Sequence, residues 1–243
     1  MSLASALIGS VEQQSVASSD PGQITLIGEL SGIRINAGST PLDFSSIAYQ
    51  AGDVIDLVIA ADTVNTDQVF SFSESGYVEN INETFNYARQ IRLLQITKVM
   101  TAAEPLTQLI STQTGAMNEQ FGYVLQVKRG VDATNPIDVT YDTALHLDFG
   151  IGNSTPTNNP IDTVTQNAQA NIVHGWRGGA QITSVGVPAG WTQAQAQLAT
   201  SHVRFAKATN TVATPSTVTP GSWTHAHTAE QDYWTLTYAL RPA

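Results

Sequence analysis

The chain has 243 residues and no cysteine, so it can bury a core without a disulfide or metal staple, and thiolate chemistry is excluded. Only 12% of its residues are charged, where an ordinary soluble domain has roughly 25%. Acidic residues outnumber basic ones 20 to 10, for a net charge of −10, and such a surface repels a phosphate backbone, so we expect no nucleic-acid partner.

Residues 1–23 differ from the rest of the chain. Leu3, Leu7 and Val11 recur at a spacing of four, which places them on one face of a short helix. An isolated helix of about ten residues is marginal in water, so we predict an arm that docks on a surface through these side chains. The arm lacks a basic start before its apolar stretch, and no run approaches the ~18 apolar residues of a membrane span. We therefore expect a soluble protein that is not exported through a cleaved signal peptide, with no membrane partner.

From residue 24 onward the pattern is that of β-strands. The run 53–62 is apolar and follows Gly52, which is typical of a strand buried on both faces. The segment 76–86 is interpreted as a loop. Further strands are predicted in the first half over 24–36, 68–75, 89–100 and 121–132, the last ending in a turn at Gly130.

The segment 150–167 is rich in Gly, Asn, Pro and Thr and predicts a long surface loop, with a possible subdivision of the body there. Asn158 and Asn159 in this loop, and Trp191 after the Pro188–Gly190 turn, are candidate interaction residues. Strands resume over 171–176, 181–187, 201–208, 222–228 and 232–240.

Strand-length runs separated by Pro and Gly turns, with no long amphipathic helices between them, predict a mostly β fold. We expect an antiparallel β-sandwich, jelly-roll-like, over residues 24–243, preceded by the arm or short helix of residues 1–23. Trp234 shares its face of the last strand with Leu236 and Tyr238, and we interpret it as core.

Reactive side chains are not concentrated anywhere in the sequence. His225 and His227 lie two apart on a predicted strand, a spacing that can hold a metal, but no third ligand is near, and we interpret them as surface or inter-subunit histidines. Two carboxylate pairs, Asp53 with Asp56 and Glu79 with Glu83, are expected to be solvated. Common nucleophile and phosphate-binding motifs are absent. We predict no catalytic residue, no cofactor and no metal.

Five segments taken in order resemble a sandwich domain of virion proteins from tailed bacteriophages. They are AGDVIDLVIAAD (51–62), RLLQITKVMTAAEP (92–105), GYVLQVKRGVDATNPID (122–138), VGVPAGWT (185–192) and DYWTLTYALRPA (232–243). In that group, strands end in a similar Ala-acidic-Pro turn and in Arg-Gly-Val-Asp, and a Trp-containing strand closes the domain. Lys128 stands here where an aromatic residue often precedes Arg-Gly-Val-Asp.

The resemblance implies a non-enzymatic structural protein of the virion. Low charge and an apolar arm favour a capsid decoration or cement protein that stabilises the assembled shell. Its partners would be the major capsid protein or other virion proteins, with homo-oligomer or lattice contacts, and it would be made in the host cytoplasm. The alternative is a tail or receptor-binding module that contacts host glycan, and a tail-associated polysaccharide-degrading enzyme is a third possibility.

Overall fold

The computed structural model describes residues 22–35, 38–63, 69–86, 90–113, 120–148, 152–154, 156–177, 185–197, 203–227 and 231–243. These residues form antiparallel strands and no helix, and none of them belongs to a helix long and apolar enough for a membrane span. The strands are β1 Thr25–Ile35, β2 Gly38–Asp43, β3 Val54–Thr63, β4 Val69–Phe72, β5 Val78–Asn86, β6 Gln90–Val99, β7 Thr107–Gln113, β8 Gln120–Arg129, β9 Ile137–Asp148, β10 Gly152–Ser154, β11 Ile161–Asp162, β12 Ala168–Arg177, β13 Val185–Gly186, β14 Thr192–Gln197, β15 Val203–Val212, β16 Thr217–Val218, β17 Thr224–His227 and β18 Gln231–Leu240.

Two five-stranded sheets form the centre of the molecule. The first has the order β1-β8-β3-β6-β5, and the second has the order β14-β15-β12-β18-β9. Their facing sides share one buried cluster, to which β3, β6 and β8 contribute from the first sheet and β12, β15 and β18 from the second. Trp234 and Phe205 are fully buried there. This is a mostly β, sandwich-like fold, and Trp234 is core as predicted.

Smaller sheets cover the outer faces of the two large ones. The order β2-β7-β4 forms a three-stranded sheet in the first half of the chain, and β10-β17-β13 forms another in the second. Leu42 and Ile110 of the first small sheet pack on Leu57 of β3, whereas Trp223 packs on Trp176 of β12. The molecule is therefore layered as small sheet, large sheet, large sheet, small sheet.

Alternation along β3 explains its uniformly apolar sequence. Val54 and Val58 face the second large sheet, and Ile55 and Leu57 face the small sheet. Successive side chains of a strand point to opposite faces, and both faces of β3 are covered. All residues from 54 to 61 are buried, which confirms the prediction for this run. The charged side chain of Asp56 lies within it.

The two halves of the chain follow the same path. When the strands of 25–129 are ranked from one to eight, the large sheet has the order 1-8-3-6-5 and the small sheet 2-7-4. The second half, 137–240, gives the same two orders once the short β11–β16 pair is set aside. The strands thus change from one set of sheets to the other at 130–136, whereas the sequence placed a possible subdivision at 150–167. The jelly-roll part of the fold prediction stays a prediction.

Several strands were not predicted from the sequence. The expected loop 76–86 contains β5 as an edge strand, so that interpretation was wrong. The strands β7 (TQLISTQ) and β14 (TQAQAQ) were not predicted because they are rich in polar residues, as one or both faces of each strand contact solvent. Within the expected loop 150–167, β10 and β11 are short strands.

Candidate functional site

A cluster of charged and polar side chains lies buried between the two large sheets. The carboxylate of Asp56 on β3 accepts hydrogen bonds from two ammonium groups, Lys128 Nζ at 2.8 Å and Lys207 Nζ at 2.6 Å. The hydroxyl of Tyr238 on β18 donates to the same carboxylate at 2.8 Å, and Gln95 Nε2 donates to it at 2.9 Å. Asp56 thus joins five strands from both halves of the chain.

Two side-chain amides of β12 complete the surroundings of Lys128. Its Nζ donates to Gln169 Oε1 at 2.5 Å and to Asn171 Oδ1 at 3.1 Å. Asn171 Nδ2 in turn donates to the backbone oxygen of Gln169 at 2.8 Å. The three donors of the Lys128 ammonium therefore all point at oxygen atoms.

The charges of this cluster do not balance. Burial by itself would raise the pKa of Asp56, but the neighbouring ammonium groups of Lys128 and Lys207 hold that pKa well below its usual range. Burial lowers the pKa of Lys128 to about 7, with the charge of Lys207 acting in the same direction and Asp56 opposing it. One carboxylate cannot neutralise two ammonium groups, and at a pKa of about 7 a fraction of Lys128 is neutral at physiological pH.

Solvent does not reach the charged groups of the cluster. The side chains of Asp56 and Lys207 are 0% exposed and that of Lys128 is 1% exposed. A substrate from solution would have to separate the two sheets to meet them. The expectation that Asp53 and Asp56 are solvated was wrong for both residues. Asp53 is 3% exposed and forms a bidentate ion pair with Arg129, with N–O distances of 2.9 and 2.8 Å. These carboxylates brace the fold.

A surface hollow of about 450 Å³ lies where β5 and β6 meet the connection between the two halves. Lys98 in its wall is 4% exposed, pairs with Glu104 at 2.7 Å, and lies over the ring of Tyr77. The pKa of Glu104 is lowered, because the hydrogen bonds from Lys98 and Thr101 outweigh burial, which acts the other way. The hollow is lined by Gly76, Val78, Asn80, Thr97, Lys98, Val99, Ala133, Thr134, Asn135, Pro136 and Ile137.

Two histidines meet beneath the second small sheet. His174 Nε2 on β12 and His225 Nδ1 on β17 are 3.1 Å apart, and both side chains are buried. The rings of Trp176 and Trp223 lie against His174, with centroids at 5.1 and 5.7 Å. The surface interpretation of His225 was therefore wrong, and the side chain of His227 lies outside the described residues. Among the described residues, no three His, Asp or Glu side chains are arranged to hold a metal.

Asn158, predicted as a loop contact, is a buried structural residue. It is 2% exposed; its Nδ2 donates to the backbone oxygens of Val173 and Leu236 at 3.2 and 2.8 Å, and its Oδ1 accepts from Trp223 Nε1 at 2.7 Å. Asn158 thereby ties the 156–160 segment to two strands and to the core.

We expect Asn158→Ala to lower the free energy of unfolding by about 2–3 kcal/mol. The alanine leaves the buried indole N–H of Trp223 without its acceptor and two backbone oxygens without a donor, and each such loss costs about 1 kcal/mol or more. Chemical denaturation monitored by tryptophan fluorescence measures the change. Asn135→Ala, at an exposed position, is the matched control and should stay within about 0.5 kcal/mol of wild type. An equal effect of both variants would contradict this account.

The other predicted interaction residues are placed differently from one another. Trp191 is half-buried, packs against the outer face of the second large sheet, and is the most exposed of the four tryptophans, as expected. Asn159 is half-buried, and its backbone oxygen accepts from Thr237 Oγ1 at 2.9 Å. Leu3, Leu7 and Val11 lie outside the described residues. Their role as contacts stays a prediction.

The sequence held a signal for the buried cluster that the motif analysis missed. Asp56 stands inside a run predicted to be buried on both faces, and Lys128 follows the apolar strand 121–127. A charge in such a strand must be paired inside the protein. Lys207 and Tyr238 carry no comparable signal, because their partners are about 150 and 180 residues away along the chain.

No protein-family model, curated protein or solved structure matches this chain.

Proposed function

We propose that the chain is a structural protein of a tailed-bacteriophage virion, favouring a capsid decoration or cement protein that binds the assembled shell. The observation that supports this proposal most is the burial of the ionisable side chains around Asp56 between the two large sheets. Their work is internal bracing. A rigid layered body that offers its outside to other proteins suits assembly.

The place where the arm leaves the body also suits this role. Gly22 lies next to the side chain of Asn167, and the backbone of Gln23 lies against Gly130. The described chain therefore begins next to the connection between the halves. A segment of 21 residues spans up to roughly 70 Å when extended. That reach allows residues 1–21 to contact a neighbouring subunit of a shell, which would link subunits through apolar contact.

We expect the purified chain to co-sediment with purified empty capsids of its phage and to raise their melting temperature, because a protein that binds only the assembled shell stabilises that shell. Deletion of residues 1–20 should weaken binding at least tenfold. The substitution Asp162→Asn, at an exposed position of the body, should leave binding unchanged. Adsorption to host cells without capsid binding would contradict the cement role.

The alternative is a tail or receptor-binding module that contacts host glycan. Trp191 is partly exposed, and Val164 in the 150–167 segment is 57% exposed. A partly exposed aromatic ring offers a large flat surface for contact, and in this alternative that surface stacks on host glycan. If the wild type does not bind capsids and Trp191→Ala loses adsorption to host cells, this alternative is favoured. Release of sugar by the purified protein would instead favour the third possibility, a tail-associated polysaccharide-degrading enzyme.

A further inference from the structure

We propose that Lys128 and Asn171 form an intramolecular isopeptide bond across the two large sheets. The bond would join the Nζ atom of Lys128, on β8 of the first half, to the side-chain carbonyl carbon of Asn171, on β12 of the second half. This modification does not depend on the virion role proposed above. It would convert the non-covalent contact between the two halves into a permanent one.

The two reacting groups are already in contact. Lys128 Nζ lies 3.1 Å from Asn171 Oδ1, and the carboxamide carbon is the next atom. The hydrogen bond from Asn171 Nδ2 to the backbone oxygen of Gln169 keeps the carboxamide oxygen turned toward Lys128. Groups held this close react far faster than the same groups free in solution. For the attack, the side-chain torsions of Lys128 must let Nζ approach the face of the carboxamide.

The surroundings favour a reactive amine. Only a neutral amine is a nucleophile, and Lys128 shares the single carboxylate of Asp56 with Lys207. Burial lowers the pKa of Lys128 to about 7, so a large fraction of the amine is neutral at physiological pH. Tyr238 also faces this carboxylate from β18, and Glu29 acts on Lys128 from β1 through its charge.

Asp56 is placed to carry the proton. As the lone pair of Nζ attacks, a C–N bond forms, and the proton lost by Nζ passes to the Asp56 carboxylate 2.8 Å away. That proton is then delivered to Nδ2 of Asn171, which gives up its hydrogen bond to Gln169, as the bond between Nδ2 and the carbonyl carbon breaks. One ammonia leaves and one amide remains, with no oxidant or reductant needed. Water is excluded from the buried site, so hydrolysis does not compete.

Two neighbouring groups are less suitable for the same reaction. Lys207 Nζ donates to Asp56 and lies over the Tyr238 ring at 5.5 Å, and within the described part of the chain it contacts no side-chain amide. Gln169 contacts Lys128, but its side chain is only partly buried. Asn171 is 0% exposed.

The intact mass of the purified full-length chain tests the proposal. We expect the mass to fall short of the sequence mass by one ammonia, and a digest of the unfolded protein to contain a branched peptide joining Lys128 to Asn171. Lys128→Met and Asn171→Ala should each restore the sequence mass of the variant. Lys98→Met removes another buried lysine, one paired with Glu104, and should keep the loss of ammonia.

The wild-type measurement decides the question even where a variant fails to fold. A wild-type mass equal to the sequence mass would overturn the proposal. So would a loss of ammonia that maps to another asparagine, or a branch from Lys128 to Gln169. The proposal stands only if the branched peptide contains Lys128 and Asn171.

Discussion

Asp56→Asn is expected to lower the free energy of unfolding by at least about 3 kcal/mol, because it leaves Lys128 and Lys207 buried without a carboxylate. Removing one partner of a buried ion pair typically costs 3–5 kcal/mol. Both lysines are at most 1% exposed, so water cannot take the place of the carboxylate. If Asp56 also carries the proton in isopeptide formation, the loss is larger. Urea denaturation followed by circular dichroism gives the value.

Two comparisons separate lost charge pairing from a general effect of substitution. Asp162→Asn changes an exposed carboxylate that accepts a hydrogen bond from Thr217, and it should stay within about 0.5 kcal/mol of wild type. Combining Asp56→Leu with Lys128→Met and Lys207→Met removes all three charges, and apolar replacement of a buried ionic cluster is often neutral or stabilising. A triple variant less stable than Asp56→Asn would contradict the electrostatic explanation.

The second large effect is expected from Gly175→Ala on β12. Gly175 is paired with Trp234 of β18, and a Cβ at this position would overlap the indole ring. Trp234 is fully buried in the core between the sheets and cannot turn outward. Overpacking of this kind costs about 3 kcal/mol, and thermal unfolding should show a correspondingly lower melting temperature.

A double variant identifies the indole as the cause. Trp234→Phe removes the outer part of the ring system, so Gly175→Ala should cost at least about 1 kcal/mol less in that background, as residues in contact are expected to show coupling. Gly221→Ala is the control, since Gly221 is exposed and, of the residues that the structure describes, a Cβ there would meet only Pro188, at 3.3 Å. Equal costs of Gly175→Ala in both backgrounds would show that the clash is elsewhere.

Fold class could be predicted from the sequence because local patterns determine it. Apolar runs buried on both faces, such as 54–61 in β3, and alternation in β8 are visible within a few residues. Strand pairing is not visible in this way. Each central strand meets partners far along the chain, as when β1 pairs with β8 across almost 100 residues, and single-strand patterns carry no register. The duplicated path of the two halves was therefore missed.

The buried cluster could be predicted only in part. That Asp56 must be paired follows from its place in an apolar strand, but the identity of its partners depends on how two sheets pack. Lys207 lies in SHVRFAKA, where the alternation of apolar and polar residues predicts a strand with one exposed face. Asn158 was expected in an exposed loop because Asn and Pro are typical of turns, yet its side chain turns inward to bridge backbone oxygens.

The repeated chain path makes the molecule resemble a dimer of unlike subunits fused in one chain. Among the described residues, the first half contributes Asp56 and Lys128 to the charged cluster, and the second contributes Lys207 and no carboxylate. Two second halves placed together would bury two ammonium groups with nothing to neutralise them. If copies exchange halves before the Lys128–Asn171 bond forms, a second half will therefore accept only a first half of another copy. Such exchange produces head-to-tail rings or chains. In oligomers that form at high concentration, each contact would therefore join a first half of one copy to a second half of another.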